Sequence, residues 1–305
     1  MKAIIRIAGL GVWVAVLAGA AGAQENLRVR VMAIATEAKG EVSTACLLPG
    51  SKLNCSLNEM GHPPMQSVFK LPVAVTALHQ VEGGKLSLNQ KVRFLASDRI
   101  LPSTYSPLQE KYPKGEVDIP LEELLRLSVS ESDNVAADIV LRTVGGPSAV
   151  NEYITSLGVV GLHIEDGEDG LARDSKAQFR NWFEPIGAVG LLDRIANNSP
   201  LTPEHNTLLL GWMEHNTHGE KRIPGDLPPG TVVAHKTGTS GVENGVAFAT
   251  NDIGLITLPD GRKLAVAVFI TNSHADEATR DAVIAKIARA AYNETLREAA
   301  ATPKH

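Results

Sequence analysis

Ser67 and Lys70 stand three apart in the run SVFK, at the start of an apolar stretch that reads as a helix. That spacing puts a hydroxyl and an amine on one helix face, close enough to touch. A serine hydroxyl is a weak nucleophile until a neighbouring base takes its proton, and a lysine desolvated in a pocket can have its pKa lowered far enough to help. Ser67 near a helix N-terminus also sets backbone N–H groups where an oxyanion can develop. Two further strings follow in order. Ser132-Asp133-Asn134 offers a hydroxyl and an amide from a loop between two predicted helices, and Lys236-Thr237-Gly238 lies on a predicted strand, where a glycine lets a ligand approach the backbone. A serine and a lysine three apart arise by chance about once in a chain of this composition; the ordered trio does not.

These strings need a scaffold and a compartment. The chain has 305 residues, 44% hydrophobic and 21% charged, which suits one or two globular domains with a sizeable core. Asp and Glu outnumber Lys and Arg by 34 to 29, which argues against nucleic acid as a partner. Residues 1–23 place Lys2 and Arg6 ahead of an apolar stretch from Ile7 to Ala20, followed by Ala21, Gly22 and Ala23. This is the layout of a secretory signal peptide cleaved near Ala23, and at about 14 residues the apolar stretch is shorter than the roughly 20 a membrane span needs. The expected product is exported to the periplasm with no stable membrane association, and without Lys2 and Arg6 its net charge moves from −5 to −7.

Export makes the two cysteines readable. Cys46 and Cys55 flank the turn Pro49-Gly50-Ser51-Lys52, a hairpin signal. A register that pairs Leu48 with Leu53 sets Cys46 opposite Cys55, at the Cα separation of about 4.5 to 5.5 Å that a disulfide can bridge in an oxidising compartment.

Residues 27–39 carry both a helical stripe (Leu27, Val31, Ile34, Ala35, Ala38) and a strand-like alternation, with Gly40 suited to a helix C-terminus. Strands are expected at 231–238, 243–258 and 263–272, and a final helix over 276–300 with Val283, Ile284, Ile287, Ala288 and Ala291 on one face. Between them, residues 65–214 read as helices and loops, with helices at 67–81, 120–127, 134–144, 147–157, 185–195 and 203–213. The expected organisation is therefore a discontinuous domain of residues 24–64 and 215–305 around a helical domain of 65–214, with a cleft between them.

Taken together, PMQSVFKLP, SVSESDNVAAD and LPPGTVVAHKTGTSG resemble the class A β-lactamases, one group of the serine penicillin-recognising enzymes. The resemblance covers nearly all of the exported chain. It is strongest to the extended-spectrum cephalosporinase branch, whose members similarly carry a glutamine before the nucleophile, here Gln66, and the pair Asn181-Trp182 closing a loop under the active site. The family implies an α+β fold of the serine β-lactamase/DD-peptidase type: a five-stranded antiparallel sheet flanked by terminal helices, plus an inserted all-helical domain. It implies Ser67 as the acylated nucleophile, Lys70 as its proton partner, Ser132 as the proton relay to the departing ring nitrogen and Asn134 as a holder of the substrate's side-chain amide. Lys236, Thr237, Gly238 and the backbone of Thr239 match the strand that binds the substrate carboxylate, with the N–H groups of Ser67 and Thr239 forming the oxyanion hole. Tyr105 matches the aromatic wall at the cleft mouth, and the hydroxyls of Thr239 and Ser240 hint at cephalosporin use.

Deacylation needs a carboxylate beside a water. The stretch GLHIEDGEDGLARD holds Glu165, Asp166, Glu168, Asp169 and Asp174, among which charge alone does not choose. The family pattern of a Glu followed three residues later by Leu selects Glu168, within an active-site loop of residues 163–182. Two departures stand there: Ala172 replaces the asparagine that in most members helps hold the water, and Asp166 with Asn181 does not reproduce the usual arginine–aspartate tie of the loop. Whether Lys70 or Glu168 is the base in acylation stays open.

A monomer is the default expectation, and the resemblance implies a small-molecule β-lactam substrate, no cofactor and no metal. Two other readings share the three strings: a D-alanyl-D-alanine peptidase, which has no need of Glu168, and a penicillin-binding sensor that is acylated but does not turn over. A zinc lactamase is disfavoured, because the nine histidines contain no His-x-His-x-Asp cluster.

Overall fold

A computed structural model describes residues 26–174 and 176–301; the leader expected over 1–23 lies outside the described residues. The principal sheet is antiparallel, in the spatial order Glu41–Leu47, Lys263–Thr271, Thr250–Thr257, Val233–Thr239. The continuous apolar run of Lys263–Thr271 follows from burial on both faces. Ala265, Ala267 and Phe269 face one core, shared with the helices of residues 70–214, while Leu264, Val266, Val268 and Ile270 face a second. That second core is closed by the helices Leu27–Ala35 and Glu277–Ala301, the latter contributing Val283, Ile284, Ile287, Ala288 and Ala291 as its spacing predicts.

The helix Lys70–Glu82 is apolar nearly all round, with every residue from Lys70 to Leu78 buried. Such a helix belongs in a core. It packs against the helices Leu121–Ser130, Asn134–Val144 and Gly146–Ser156, so the residue that begins it is held on several sides.

Three sequence expectations are corrected. Among the described residues the sheet has four strands, not five: after the Pro49–Ser51 turn the chain rejoins the edge through a bridge between Leu57 and Thr44. Between them the Ser51 and Asn54 side chains accept the N–H groups of Leu53 and Ser56, and such local bonds displace ladder pairing. The register is nonetheless the expected one, and Cys46 and Cys55 form a disulfide with Cα atoms 5.8 Å apart. At the N-terminus the helix ends in a short 3₁₀ turn, Thr36–Ala38, and Lys39 takes the left-handed conformation assigned to Gly40. Gly40 answers to space instead, since a Cβ there would lie 2.6 Å from Thr271 O. Finally, the helical region contains two short ribbons, Lys91–Phe94 with Val117–Pro120 and Leu162–His163 with Trp182–Phe183, the second closing the 163–182 loop.

Candidate active site

Ser67 lies in a 3₁₀ turn, Gln66–Phe69, that runs into the helix beginning at Lys70. Gln66 and Ser132 both have left-handed backbones, with φ of 48° and 54°. For residues with a side chain that conformation is uncommon, and its cost is met where the surroundings fix a side chain's direction.

The expected catalytic groups converge. Ser67 Oγ donates to Glu168 Oε1 at 3.1 Å, and Lys70 Nζ reaches the same carboxylate oxygen at 2.9 Å. Lys70 Nζ also donates to Ser132 O at 2.7 Å, to Asn134 Oδ1 at 2.5 Å and to Ser132 Oγ at 3.3 Å. On the far side, Lys236 Nζ donates to Ser132 Oγ at 2.9 Å and to Thr237 O at 3.0 Å. The amines of Lys70 and Lys236 thus both lie within hydrogen-bonding distance of the Ser132 hydroxyl, one on either side of it. Lys236 is fully buried. Burial first, then the charge of Lys70, holds its ammonium well below the ordinary lysine range.

The three residues of Ser132-Asp133-Asn134 divide the work. Asp133 caps the helix Asn134–Val144 by accepting Ala136 N at 2.8 Å, and it also accepts Leu108 N and Ser106 Oγ. Within this string it is Asp133 that serves as the helix cap. Lying between the capped helix and the loop of Tyr105, Asp133 fixes Ser132 and Asn134 on either side of it.

Gly238 also has a more definite use than ligand access. A Cβ there would lie 2.4 Å from Met65 O and 3.3 Å from Ser67 N. What approaches this glycine is the backbone of the turn that carries Ser67. Thr239 and Ser240 border the cleft, a cavity of about 500 Å³ that also touches Ser67, Asn134, Glu168 and Ala172. The Ser240 hydroxyl is engaged within its own hairpin, accepting Ala249 N at 2.9 Å and donating to Gly241 O at 2.9 Å. Tyr105 is 47% exposed at the mouth and meets His218 edge-on, with ring centroids 5.3 Å apart. A larger cavity of about 810 Å³, along the helix Leu121–Ser130, contains none of these groups.

The loop is tied after all. Arg180 donates to both oxygens of Asp166, at 2.7 and 2.9 Å, so the arginine–aspartate tie that the sequence appeared to lack is formed by a neighbouring arginine. Asn181 Oδ1 accepts Glu165 N and Asp166 N, and its Nδ2 donates to Asp166 O. A bidentate guanidinium–carboxylate pair carries geometric specificity as well as energy.

Two residues escaped the sequence reading. Arg222 is buried behind the Val233–Thr239 strand, where it pairs with Asp281 at 2.8 Å and donates to Thr239 Oγ1 at 2.8 Å and Asn251 O at 2.9 Å. Asp138, on the helix Asn134–Val144, accepts Glu168 N at 2.6 Å and Asp169 N at 2.8 Å. Burial, then the charge of Glu168, pushes its carboxyl up to about 7. Neither carried a signal, because each acts through a partner distant in sequence. Among the described residues, no group of three His, Cys, Asp or Glu side chains is arranged to hold a metal ion.

The model of the β-lactamase enzyme family matches residues 26–295. The extended-spectrum β-lactamase PER-1 of Pseudomonas aeruginosa is 40% identical over 275 residues, 90% of this chain and 89% of that protein. A solved β-lactamase structure from Chitinophaga pinensis superposes with a TM-score of 0.85 at 42% identity, covering 89% of this chain and all of that one. A solved class A β-lactamase from Bacteroides cellulosilyticus gives a TM-score of 0.81 at 31% identity, over 89% of this chain and 97% of that one.

Proposed function

The chain belongs to the class A serine β-lactamases of the β-lactamase enzyme family, and from that premise we propose that it hydrolyses penicillins and cephalosporins through an acyl-enzyme on Ser67, conferring resistance. The observation that carries this reading is the single oxygen, Glu168 Oε1, shared at hydrogen-bonding distance by Ser67 Oγ and Lys70 Nζ.

Ser67 Oγ attacks the lactam carbonyl as its proton passes to the Lys70–Glu168 pair, and the N–H groups of Ser67 and Thr239 stabilise the developing oxyanion. Collapse of the tetrahedral intermediate breaks the C–N bond. Ser132 gives its proton to the departing nitrogen and is reprotonated from the lysines on either side, returning the proton that Ser67 lost. The product is an ester of Ser67 with an opened ring. Glu168 then takes a proton from a water that attacks the ester carbonyl, the ester C–O bond breaks, and Ser67 recovers its proton. Asn134 holds the substrate's side-chain amide, Tyr105 walls the mouth, and Lys236 with Thr237 holds the carboxylate. An anion at that place stabilises the buried ammonium that desolvation penalises.

Glu168 separates this reading from a trap that never releases its acyl group, since it lies against the nucleophile. The helical residues 65–214 supply Ser67, Ser132 and Glu168, and the surrounding unit of 24–64 and 215–305 supplies Lys236, so the cleft lies where the two meet in one monomer. Export to the periplasm rests on the 1–23 leader, and no helix among the described residues is long and apolar enough to cross a membrane. The test is steady-state turnover of a chromogenic cephalosporin by the processed protein and by Ser67→Ala, with fractionation of cells expressing the full chain. Chelator-insensitive turnover lost in Ser67→Ala supports the reading. A stable acyl adduct without turnover overturns it.

A further inference from the structure

The turn of residues 216–219 is clamped between the two halves of the site. Asn216 Nδ2 donates to His235 O at 3.2 Å, and Gly219, with φ of +78°, lies so close under the strand that a Cβ would sit 2.4 Å from Thr237 Cγ2. On the opposite side Thr217 N donates to Ser130 O at 2.9 Å. His218 is thereby held half-buried at the cleft rim, edge-on to Tyr105. The charged groups that act on it are Lys236 from the strand, Lys70 from the helix behind Ser67, Arg222 beyond the turn, and Glu131 at the end of the helix Leu121–Ser130. Burial first, then the three cations, holds the imidazole below its ordinary range, and Glu131 opposes them. An anion beside the ring would act with Glu131 against that shift.

The hydroxyl next to it accommodates both protonation states. Thr217 Oγ1 lies 2.8 Å from His218 Nδ1 and 3.2 Å from Ser130 O. A hydroxyl has one proton and two lone pairs. Towards a neutral ring it donates to Nδ1; towards an imidazolium it accepts from Nδ1–H and turns its proton to Ser130 O. The change needs rotation of one hydrogen and no heavy-atom movement.

We propose that His218 binds substrate, taking up a proton from solvent as the anionic β-lactam enters so that its imidazolium joins Lys236 and Thr237 in holding the carboxylate. The carboxylate offsets the field of the cations that disfavour the charged ring, so binding and protonation favour one another. This rests on the reading of Lys236 and Thr237 as the carboxylate site.

The experiment follows KM and kcat with pH, between about pH 6 and pH 8.5, for an anionic chromogenic cephalosporin and for its neutral ester. For the wild type, KM for the anion rises by about three- to tenfold across that range, as expected for one linked proton, and KM for the ester stays level. His218→Asn gives a level profile at the high KM, and His218→Lys, with a fixed charge, gives a level profile at the low one. Any pH dependence of kcat that arises at Asp138 persists in all three proteins. A rising KM profile in His218→Asn, or a level one in the wild type, overturns the proposal. Absence of hydrolysis by the wild type overturns the β-lactamase reading instead.

Discussion

The carboxylate of Asp138 lies directly beneath Glu168 and accepts its backbone N–H at 2.6 Å. The fit is close enough that a Cβ on the intervening Gly167 would lie 2.5 Å from Asp138 Oδ1. Two carboxylates thus lie close together, Glu168 buried and Asp138 half-buried behind it, and Asp138 is pushed up to about 7. An aspartate raised in this way penalises folding above its unfolded pKa of about 4, because the unfolded chain ionises while the folded one holds its proton. The penalty grows as pH rises from about 4 to about 7 and is level beyond. Asp138→Asn cannot ionise, although it gives up one of the two acceptors. The melting temperature of Asp138→Asn minus that of the wild type should therefore increase with pH across that window, and calorimetry at a series of pH values reads it. A constant difference would show that Asp138 keeps its charge throughout.

Glu168→Gln separates the two half-reactions. The amide keeps the shape and one acceptor but cannot take a proton from water, so deacylation should slow by about 10² to 10⁴. Intact-mass spectrometry should then show one substrate equivalent accumulating on Ser67. Unchanged steady-state turnover would mean that another carboxylate of the loop is the base.

The parts of this site legible in the sequence are those that chain-local chemistry encodes. Ser67 and Lys70 share a helical face because they are three apart, the continuous apolar run of residues 263–271 suits a strand buried on both faces, and the turn at Pro49–Lys52 sets the register that brings Cys46 to Cys55. What was not legible depends on tertiary placement. Arg180 follows Asp166 by 14 residues, Arg222 reaches a strand 17 residues further on, and Asp138 meets a loop 30 residues away. No period or spacing marks such partners. Even Glu168 is set apart from four other acidic residues of its stretch only by the family pattern, whereas the fold distinguishes it by contact with Ser67 and Lys70.

Cys46 and Cys55 close a loop of sequence separation 9 at the far end of the Glu41–Leu47 strand. Chain entropy for so short a loop gives at most about 2 to 3 kcal/mol. The Cys46→Ser/Cys55→Ser double variant should lose about that much in urea unfolding and keep the kcat of the wild type, since neither cysteine contacts the cleft. A fall in kcat without a matching loss of stability would show that the staple positions the site.

Gly238 tests whether the strand and the nucleophile turn are held as one rigid unit. Adding a methyl group here presses on Met65 O, which belongs to the backbone and cannot rotate away. Overpacking of this kind costs about 1 to 3 kcal/mol. The larger effect should be on rate, because moving Met65 also moves Ser67 N, and a displacement of about 1 Å at a reacting group can cost about a hundredfold. Gly190, within the helix Pro185–Asn197, gives the contrast: a Cβ there meets nothing within 4 Å. Gly190→Ala should stabilise by about 0.5 to 1 kcal/mol, through helix propensity and the loss of unfolded-state freedom, and leave turnover unchanged. If Gly238→Ala retained full kcat/KM, the strand would have to yield independently of Ser67, and the oxyanion site could not be a rigid product of that contact.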